Sequence, residues 1–348
     1  MAIRTWMATV AGCVVALPAA AEQLRVVNNG GAVAEASRAA WYEPFQAATG
    51  VEIVEDNWSQ EYARLRTQVE TGNLAWDVVE ITFNHMAVAC DEGYLERVDW
   101  SQYLDPADFA AAGGVTDCAV PIMSVVGGLV YDANAITGEP PRTWADFWDV
   151  ETWPGKRGLI FRPSVLELAL MADGVPLDEI IDVLSSEGGV DRAFAKLDEL
   201  KPHIHWWRSG AESTQILATG EVVMGYAWNG RVAVANERDG TNLKYSFDGG
   251  FVLGNQYIAV MAGTPHRERA IEFVVYASSA EPLARFAEMM NYGPPNERSL
   301  AYVDERLLAV LPSEHMDKAY VQGEGPYQEF WLANQEELTQ RLATWAAQ

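Results

Sequence analysis

Short apolar runs alternate with amphipathic stretches in the first part of the chain, and this alternation limits the folds open to it. The runs Leu24–Asn28, Val51–Val54 and Asp77–Ile81 have the length and residue types of strands. Between them, apolar side chains recur at helical spacing within 36–48 and 62–69, and each stretch ends at a glycine. A β-α-β-α-β order predicts a parallel sheet with helices on both faces. We therefore expect an α/β fold.

The rest of the chain continues the alternation and is long enough for two domains. The chain has 348 residues, of which 49% are hydrophobic, and this is ample for a large core. The glycine-interrupted apolar run Met123–Tyr131 is predicted to be a strand that passes between two lobes. Later strands are predicted at 158–161, 204–207, 222–226 and 256–260, followed by a helix at Arg267–Ser278.

Residues 1–21 have the features of a signal peptide. Arg4 is their only charge, an apolar run follows it, and small residues precede Glu22. We expect this segment to be cleaved and the remaining chain to be exported. The competing interpretation is a lipoprotein signal, because Val10–Cys13 resembles a lipidation box. The apolar run continues past Cys13, which favours plain cleavage.

The charge balance argues against whole classes of partner. Lys and Arg number 24 and Asp and Glu number 49, so the formal net charge is −25. Phosphate backbones and anionic lipid surfaces need a basic footprint, so nucleic acid and membrane binding are not expected. The negative field permits a cationic ligand, but a solvated acidic surface that keeps the chain soluble is the simpler explanation.

Two cysteines remain after removal of the signal peptide. Cys90 and Cys118 form an even pair in a chain expected to reach an oxidising compartment, so we predict a disulfide between them. The alternative is two buried free thiols. A metal site is not expected, because no histidine lies at metal-finger spacing from either cysteine.

Catalytic and cofactor motifs are absent from the sequence. It contains no GxxxxGK[ST], HExxH or GxSxG pattern, and no cofactor is predicted. The five histidines are scattered; His203 and His205 alternate on a predicted strand without a neighbouring acid or cysteine. The chain is therefore predicted not to be an enzyme or a metalloprotein, although a catalytic triad assembled in space leaves no such motif.

Polar and aromatic residues follow several predicted strands. The segments are Asn29-Gly30, Phe83-Asn84 and Trp228-Asn229, and Tyr257 follows further polar residues. In a doubly wound sheet the carboxyl ends of the strands line the ligand crevice, so these residues are expected to converge. Aromatic faces beside hydrogen-bond acceptors suit a cationic or partly apolar small molecule. The alternative is a plain turn at Asn29-Gly30 and core packing for most tryptophans.

The order and spacing of several motifs resemble those of the periplasmic solute-binding proteins of ABC importers, in the spermidine/putrescine-binding family. The resemblance covers essentially all of residues 22–348. The motifs are Phe45–Ile53, Trp76–Val79, Asp91–Leu95, Thr143–Trp148, Pro154–Gly158, Leu217–Val222, Ala227–Gly230 and Tyr292–Asn296. The segment Leu168–Gly174 and the cysteine pair resemble a less characterised branch of this family.

The family resemblance implies a two-lobed periplasmic-binding-protein fold of type II, with two doubly wound sheets joined by crossover strands. Lobe one would comprise 22–124 plus 257–298, and lobe two 125–256 plus 299–348. The implied mechanism is hinge closure around a small-molecule ligand in the periplasm, followed by docking on the ABC permease membrane subunits. We expect a monomer that performs no chemistry on the ligand.

The resemblance also assigns the ligand site residue by residue. Trp228 matches the family tryptophan, while Thr82 and Asn84 stand where the family has Ser and Tyr. Gln256 replaces an aspartate, and Arg162 lies where the family carries acids. The complete predicted ligand-binding set is Asn29, Gly30, Thr82, Asn84, Arg162, Trp228, Asn229, Gln256 and Tyr257.

The two substitutions change the expected ligand. A neutral glutamine does not neutralise a buried ammonium, and an arginine attracts a carboxylate. We therefore predict a small nitrogenous solute, either a polyamine or an amino-acid-like amine, with simple diamines disfavoured unless acids such as Glu80 or Glu212 reach the site. The alternatives are an iron-binding periplasmic protein, which would need clustered Tyr, His and carboxylate ligands, and a secreted α/β hydrolase.

Overall fold

The computed structural model describes residues 22–58, 60–308, 311–323 and 325–348. The signal peptide predicted at 1–21 lies outside the described residues. The strands are β1 Gln23–Asn28, β2 Glu52–Asn57, β3 Val78–Thr82, β4 Ala119–Asp132, β5 Arg157–Ile160, β6 Ile204–Trp207, β7 Met224–Trp228, β8 Leu243–Ser246, β9 Phe251–Val260 and β10 Ala319–Val321.

Helices connect and cover these strands. The α-helices are α1 Gly31–Ser37, α2 Glu43–Thr49, α3 Tyr62–Thr71, α4 Phe83–Asp91, α5 Trp144–Trp148, α6 Val165–Ala172, α7 Ile180–Ser185, α8 Gly189–Leu200, α9 Gly210–Ala218, α10 Asn229–Asp239, α11 Arg267–Ala277, α12 Ala280–Met290, α13 Glu305–Leu308 and α14 Pro326–Ala346. A π-helical turn, Arg38–Tyr42, joins α1 to α2. Short 3₁₀ helices lie at Trp100–Gln102, Pro106–Ala112, Leu177–Glu179, Lys201–His203, Glu297–Ala301 and Ser313–Lys318.

The predicted α/β alternation is confirmed, and its two halves form one continuous sheet. The strand order is β2-β1-β3-β9-β4-β7-β5-β6, with β10 paired to β9 and β8 paired to β4. Strands β2, β1 and β3 are parallel to one another, as are β7, β5 and β6. The long strands β4 and β9 pair antiparallel to each other between these two groups. We call the half of the molecule built on β2, β1 and β3 the β3 side, and the half built on β7, β5 and β6 the β7 side.

The strand predicted at Met123–Tyr131 corresponds to β4, which extends beyond this apolar run at both ends. It runs over Ala119–Asp132, and it changes neighbour along its length because its start pairs with β9 and its end pairs with β7 and β8. Most of its side chains are buried, which is typical of a strand covered on both faces. This strand carries the chain from the β3 side to the β7 side.

A buried carboxylate joins separate segments of the β3 side through hydrogen bonds. Asp77 accepts hydrogen bonds from the Arg25 guanidinium at 2.8 and 3.0 Å, from the Thr264 hydroxyl at 2.6 Å, and shares one of 3.1 Å with the His266 ring. Burial by itself would raise the pKa of Asp77, but hydrogen bonds from Arg25 and Thr264 hold it below its ordinary value. The arrangement connects β1 to the segment that follows β9.

The predicted disulfide is confirmed. Cys90, near the end of α4, is bonded to Cys118, one residue before β4. The bond therefore ties the first helix after β3 to the beginning of the crossover strand. On the chain-entropy account, closing a loop of this length stabilises the folded state by roughly 3–4 kcal/mol.

The C-terminal helix packs back on the β7 side. The Trp331 indole donates a 2.8 Å hydrogen bond to Glu167 on α6, and Lys201 Nζ donates one of 2.6 Å to the Trp345 carbonyl. Arg341 forms an ion pair with Asp191 on α8. Helix α14 is long, but neither it nor any other described helix is apolar enough over its length to cross a membrane.

Candidate functional site

A cavity of about 570 Å³ opens where β3 and β7 end against the middle of β4 and β9. At this level Thr82 pairs with Gln256, and Gly127 pairs with Trp228. Its volume lies in the usual range for small-molecule sites. Side chains of the β3 side and the β7 side therefore face one space. The lining residues include Gln60, Thr82, Asn84, His85, Gly127, Phe161, Arg162, Tyr226, Trp228, Gln256, Gln322, Tyr327 and Trp331.

The structure brings five of the nine predicted ligand residues onto the cavity wall. Thr82 and Asn84 do so at the start of α4, because the carboxyl end of β3 points at the cavity. Gln256 lies beside Thr82 on β9, and Trp228 ends β7. These residues, together with Arg162, all line the space.

Asn29 is not among the lining residues, but it contacts two residues that are. Its amide donates to Gln256 Oε1 at 3.4 Å, and its Oδ1 accepts a hydrogen bond from Gln60 Nε2. Gly30 forms the turn before α1, with a φ of 70° and its N–H donating to Asn28 Oδ1 at 2.8 Å. A positive φ favours glycine whether or not a ligand is near, so the turn explains Gly30 without a ligand contact.

Asn229 and Tyr257 are buried behind the cavity wall, and neither is among its lining residues. Asn229 Oδ1 accepts from the Val126 N–H at 3.1 Å, and its Nδ2 donates to the Asn291 carbonyl at 3.3 Å. Tyr257 packs near Phe83, with ring centroids 6.0 Å apart. Both side chains therefore act on the position of the wall, and the geometry does not support the predicted direct contact with ligand.

On the β7 side, the cavity wall contains an arginine that lies against an aromatic ring. The Arg162 guanidinium carbon lies 5.8 Å from the Trp228 ring centroid. Trp207 fixes Trp228 from another direction, with an edge-on contact of 5.4 Å between centroids. A planar guanidinium held in this way presents paired N–H donors, which match the two oxygens of a carboxylate.

The cavity wall differs in charge from the rest of the molecule. Although the whole chain carries 49 acidic residues, none of the described residues that line the cavity is Asp or Glu. Neither Glu80 nor Glu212 lines it. A second cation lies close by, because the Arg208 guanidinium carbon is 4.0 Å from the ring centroid of the lining residue Phe161. The local field therefore favours an anionic group on the ligand.

Gln60 is a site residue that the sequence pattern did not indicate. It adopts a positive φ of 64°, which is uncommon outside glycine. Its Oε1 accepts from the Thr82 N–H at 3.2 Å, and its Nε2 donates to the Glu80 carbonyl at 3.3 Å and to Asn29. Gln60 thereby orients two of the predicted residues.

The back of the cavity comes from elements that are remote in sequence. Tyr327 and Trp331 of α14 line it, as does Gln322 just after β10. Tyr226 of β7 also lines it, and its hydroxyl occupies the space above Gly127, where a Cβ would lie 1.9 Å from that oxygen. No local motif marks these residues, because each reaches the site only through packing.

One histidine, His85, lines the cavity on the β3 side. The His85 ring is 5.8 Å from the Tyr62 ring and nearly parallel to it, and its Nδ1 lies 3.3 Å from the Thr82 hydroxyl. Burial lowers the pKa of His85 below its ordinary value of 6.5. At neutral pH this ring is therefore uncharged and adds hydrogen-bonding capacity without a charge.

A second cavity, of about 600 Å³, lies on the outer surface between residues 101–109, α11 and α12. It is formed by the β3 side alone, and no strand ends in it, so we assign the functional site to the cavity between the two sides. Within the described residues, no group of three His, Cys, Asp or Glu side chains is placed to hold a metal ion.

Comparison with known proteins gives consistent matches. A family model for bacterial extracellular solute-binding proteins matches residues 40–306. The gamma-aminobutyric acid-binding protein of Pseudomonas aeruginosa is 38% identical over 336 residues, which is 95% of this chain and 93% of that protein. A solved structure described as the Atu4243-GABA receptor superposes with a TM-score of 0.81 at 31% identity, covering 93% of this chain and 98% of that one.

A polyamine-binding relative matches less strongly. The spermidine/putrescine-binding periplasmic protein 1 of Haemophilus influenzae is 23% identical over 265 residues, which is 73% of this chain and 71% of that protein. The structural match confirms the predicted fold class. The finer resemblance to the spermidine/putrescine branch is not confirmed, because the relative described as a gamma-aminobutyric acid-binding protein is more similar over more of the chain.

Proposed function

The chain belongs to the bacterial extracellular solute-binding protein family, and we propose that it captures a small amino-acid-like carboxylate for an ABC importer. Gamma-aminobutyrate, or an amino acid of similar size, is the ligand we favour. In this proposal the two lobes close about β4 and β9, and the closed form docks on the permease subunits. The chain acts in the periplasm as a monomer after removal of residues 1–21.

The observation that carries the ligand assignment is the charge of the cavity wall. Arg162 faces the space, while the described lining residues include no acid. A ligand carboxylate would find a guanidinium there, and bidentate pairing with it is strong when water is excluded. A diamine would meet the same cation with no anion on the wall to offset it, which is unfavourable for a buried charge.

The matches with known proteins support this choice. The Pseudomonas aeruginosa relative and the solved receptor are both described by gamma-aminobutyric acid. The polyamine option, which the sequence left open, has less support. The polyamine-binding relative is less similar to this chain, and the described lining residues include no acid that could pair with an amine. No observation favours iron binding or hydrolysis over solute binding, and the Pseudomonas aeruginosa and Haemophilus influenzae relatives are both described as binding proteins.

Calorimetric titration of the purified protein tests the proposal. The panel comprises gamma-aminobutyrate, shorter and longer ω-amino acids, α-amino acids, putrescine and spermidine. We expect an ω-amino acid to bind most tightly and to raise the thermal unfolding temperature, since a ligand that binds only the folded state stabilises it by RT ln(1 + [L]/Kd). Tighter binding of putrescine or spermidine than of every amino acid would overturn the ligand assignment.

A further inference from the structure

One carboxyl lies directly behind the cavity wall and has unused hydrogen-bonding capacity. Glu167, in the first turn of α6, is fully buried. Its Oε1 accepts a 2.8 Å hydrogen bond from the Trp331 indole. Its Oε2 is also buried and makes no hydrogen bond of normal geometry within the described part of the chain. Buried carboxyl oxygens without a partner are costly, so this atom calls for an explanation.

The side chains that surround Glu167 belong to residues that line the cavity. Trp331 lines the cavity and donates to Oε1. Tyr226 and Tyr327 also line the cavity, and the charge of Glu167 acts on both. The lining side chain of Gln322 lies close enough to lower the pKa of Glu167, although Oε2 is left without a hydrogen bond. The carboxyl is therefore one side-chain layer from the ligand space.

We propose that Glu167 receives the ammonium group of the ligand through Oε2, which becomes accessible when the lining side chain of Gln322 moves aside, while Arg162 receives the carboxylate. This inference rests on the proposed function and adds the second half of the recognition. The two residues lie close in sequence, before and within the first turn of α6, and the charges of both act on the Tyr226 hydroxyl. A short ω-amino acid carries its two charges at its ends and matches this arrangement; a diamine does not.

The protonation state of Glu167 makes the proposal measurable. Burial raises the pKa of Glu167 to about 8, and the hydrogen bond from Trp331 opposes this only in part. In the unliganded protein at pH 7 the carboxyl is thus mostly protonated. An arriving ammonium favours the ionised form, so the proton leaves Glu167 for solvent as the ion pair forms. Binding of the amino acid would release up to one proton.

The other titratable groups around Glu167 do not give the same signal. Burial raises the pKa values of Tyr226, Tyr320 and Tyr327 above the ordinary value for tyrosine. His85, across the cavity, has a lowered pKa and is neutral from pH 7 upward. Arginine side chains keep their charge throughout this range. Glu167 is therefore the facing group expected to titrate between about pH 7 and pH 9.

A matched control residue is available in Glu80. It is also fully buried, and burial raises its pKa to about 8, but its Oε1 accepts from Ser37 at 3.1 Å and Tyr42 at 3.2 Å, outside the cavity. Glu80→Gln and Glu167→Gln each replace a protonated carboxyl with an amide of the same shape. Both variants should therefore fold, and circular dichroism and thermal unfolding at pH 6 would verify this.

The experiment measures proton release on binding. Calorimetry at pH 7 in two buffers of different ionisation enthalpy is performed with gamma-aminobutyrate and with butyrate, which lacks the amino group. For the wild type and Glu80→Gln we expect nearly one proton released with gamma-aminobutyrate and none with butyrate. For Glu167→Gln we expect no release and an affinity for gamma-aminobutyrate roughly 10- to 100-fold lower at pH 8, with butyrate affinity little changed.

Affinity at several pH values gives a second readout. The wild-type affinity for gamma-aminobutyrate should rise about tenfold per pH unit below pH 8 and level off above it, whereas that of Glu167→Gln should stay flat. Gamma-aminobutyrate binding without proton release, or equal affinity in Glu167→Gln, would overturn the role of Glu167 and leave the proposed function standing. Failure of both ligands to bind the wild type would overturn the two together.

Discussion

The guanidinium carbon of Arg162 lies 5.8 Å from the centroid of the Trp228 ring. An aromatic residue at the end of a strand therefore has a cation of the protein itself as a neighbour. In a polyamine site such a ring would be expected to receive a ligand cation. Here the pair presents a positive group to the cavity, and this relationship determines the first prediction.

Replacement of Arg162 should weaken carboxylate binding selectively. In Arg162→Gln we expect the affinity for gamma-aminobutyrate to fall by about 1.5–3 kcal/mol, because hydrogen bonds to a charged group contribute roughly this much. Titration calorimetry measures the change. The matched control is Arg192→Gln, which removes an exposed ion pair with Asp173 away from the cavity. An unchanged affinity in Arg162→Gln would contradict the role assigned to Arg162.

Trp228 should matter more for binding than for folding. It lines the cavity and is half-buried, whereas Trp144 is almost completely buried in the core. Trp228→Ala should cost about 1–3 kcal/mol of ligand binding through lost aromatic contact. Trp144→Ala should instead cost about 3–5 kcal/mol of unfolding free energy. Urea unfolding and calorimetry on both variants separate the two effects, and the reverse ranking would place Trp228 in the core.

Gly127 should not tolerate a side chain. A Cβ at this position would lie 1.9 Å from the Tyr226 hydroxyl, so Gly127→Ala must displace a ring that lines the cavity. We expect weaker ligand binding and a loss of stability of about 1–3 kcal/mol from overpacking. Gly323→Ala is the control, because within the described residues no atom beyond its chain neighbours lies within 4 Å of the added Cβ. Equal ligand affinity and equal stability of the two variants would show that the Tyr226 ring can move aside without cost.

The exported protein should contain no free thiol. Cys90 and Cys118 are bonded to each other, so titration of the denatured, unreduced mature chain should detect none. Cys90→Ser combined with Cys118→Ser should lower the unfolding free energy by roughly 3–4 kcal/mol, since the unfolded chain regains a loop. Urea unfolding measures this loss, and reduced wild type serves as the comparison. Detection of two thiols in the unreduced protein would refute the bond.

Stability should decline from acidic to alkaline pH through Glu80. Burial raises the pKa of Glu80 from 4.5 to about 8, so between these values the folded state binds more protons than the unfolded state. The resulting stabilisation is present below about pH 4.5 and is lost as the pH rises to about 8. Glu80→Gln should match the wild type at about pH 5 and exceed it by on the order of 1–3 kcal/mol at about pH 9.

Urea unfolding at the two pH values checks this dependence on Glu80. Glu55→Gln is a useful comparison, since Glu55 is a carboxylate in the same neighbourhood that accepts from Asn28 at 2.9 Å and pairs with Arg38. Loss of that exposed ion pair should itself change stability little, and because the charge of Glu55 contributes only a minor part of the raised pKa of Glu80, any gain at alkaline pH should be smaller than in Glu80→Gln. Equal stability of Glu80→Gln and wild type at alkaline pH would show that burial does not raise the pKa of Glu80 in the folded state.

Local patterns in the sequence were sufficient for most of the fold. The strands predicted at Leu24–Asn28 and Asp77–Ile81 and the helix at Arg267–Ser278 lie within a residue of the observed elements. Apolar periodicity and glycine stops act over a few residues, so they can be recognised without knowledge of the rest of the chain. The same reasoning found Asn84 and Trp228, because the carboxyl end of a strand in such a sheet points at the crevice, whereas Thr82 was assigned by the family resemblance.

The sequence by itself thus determined the α/β order, the cysteine pair and the strand ends that form the cavity. Only the tertiary structure decided which side chains face it. Tyr257 follows Gln256 on β9, and successive strand residues point to opposite faces, so only one of the two lines the cavity. Glu167 meets Trp331 across 164 residues, and such a contact depends on how α14 packs on α6, which no local pattern encodes.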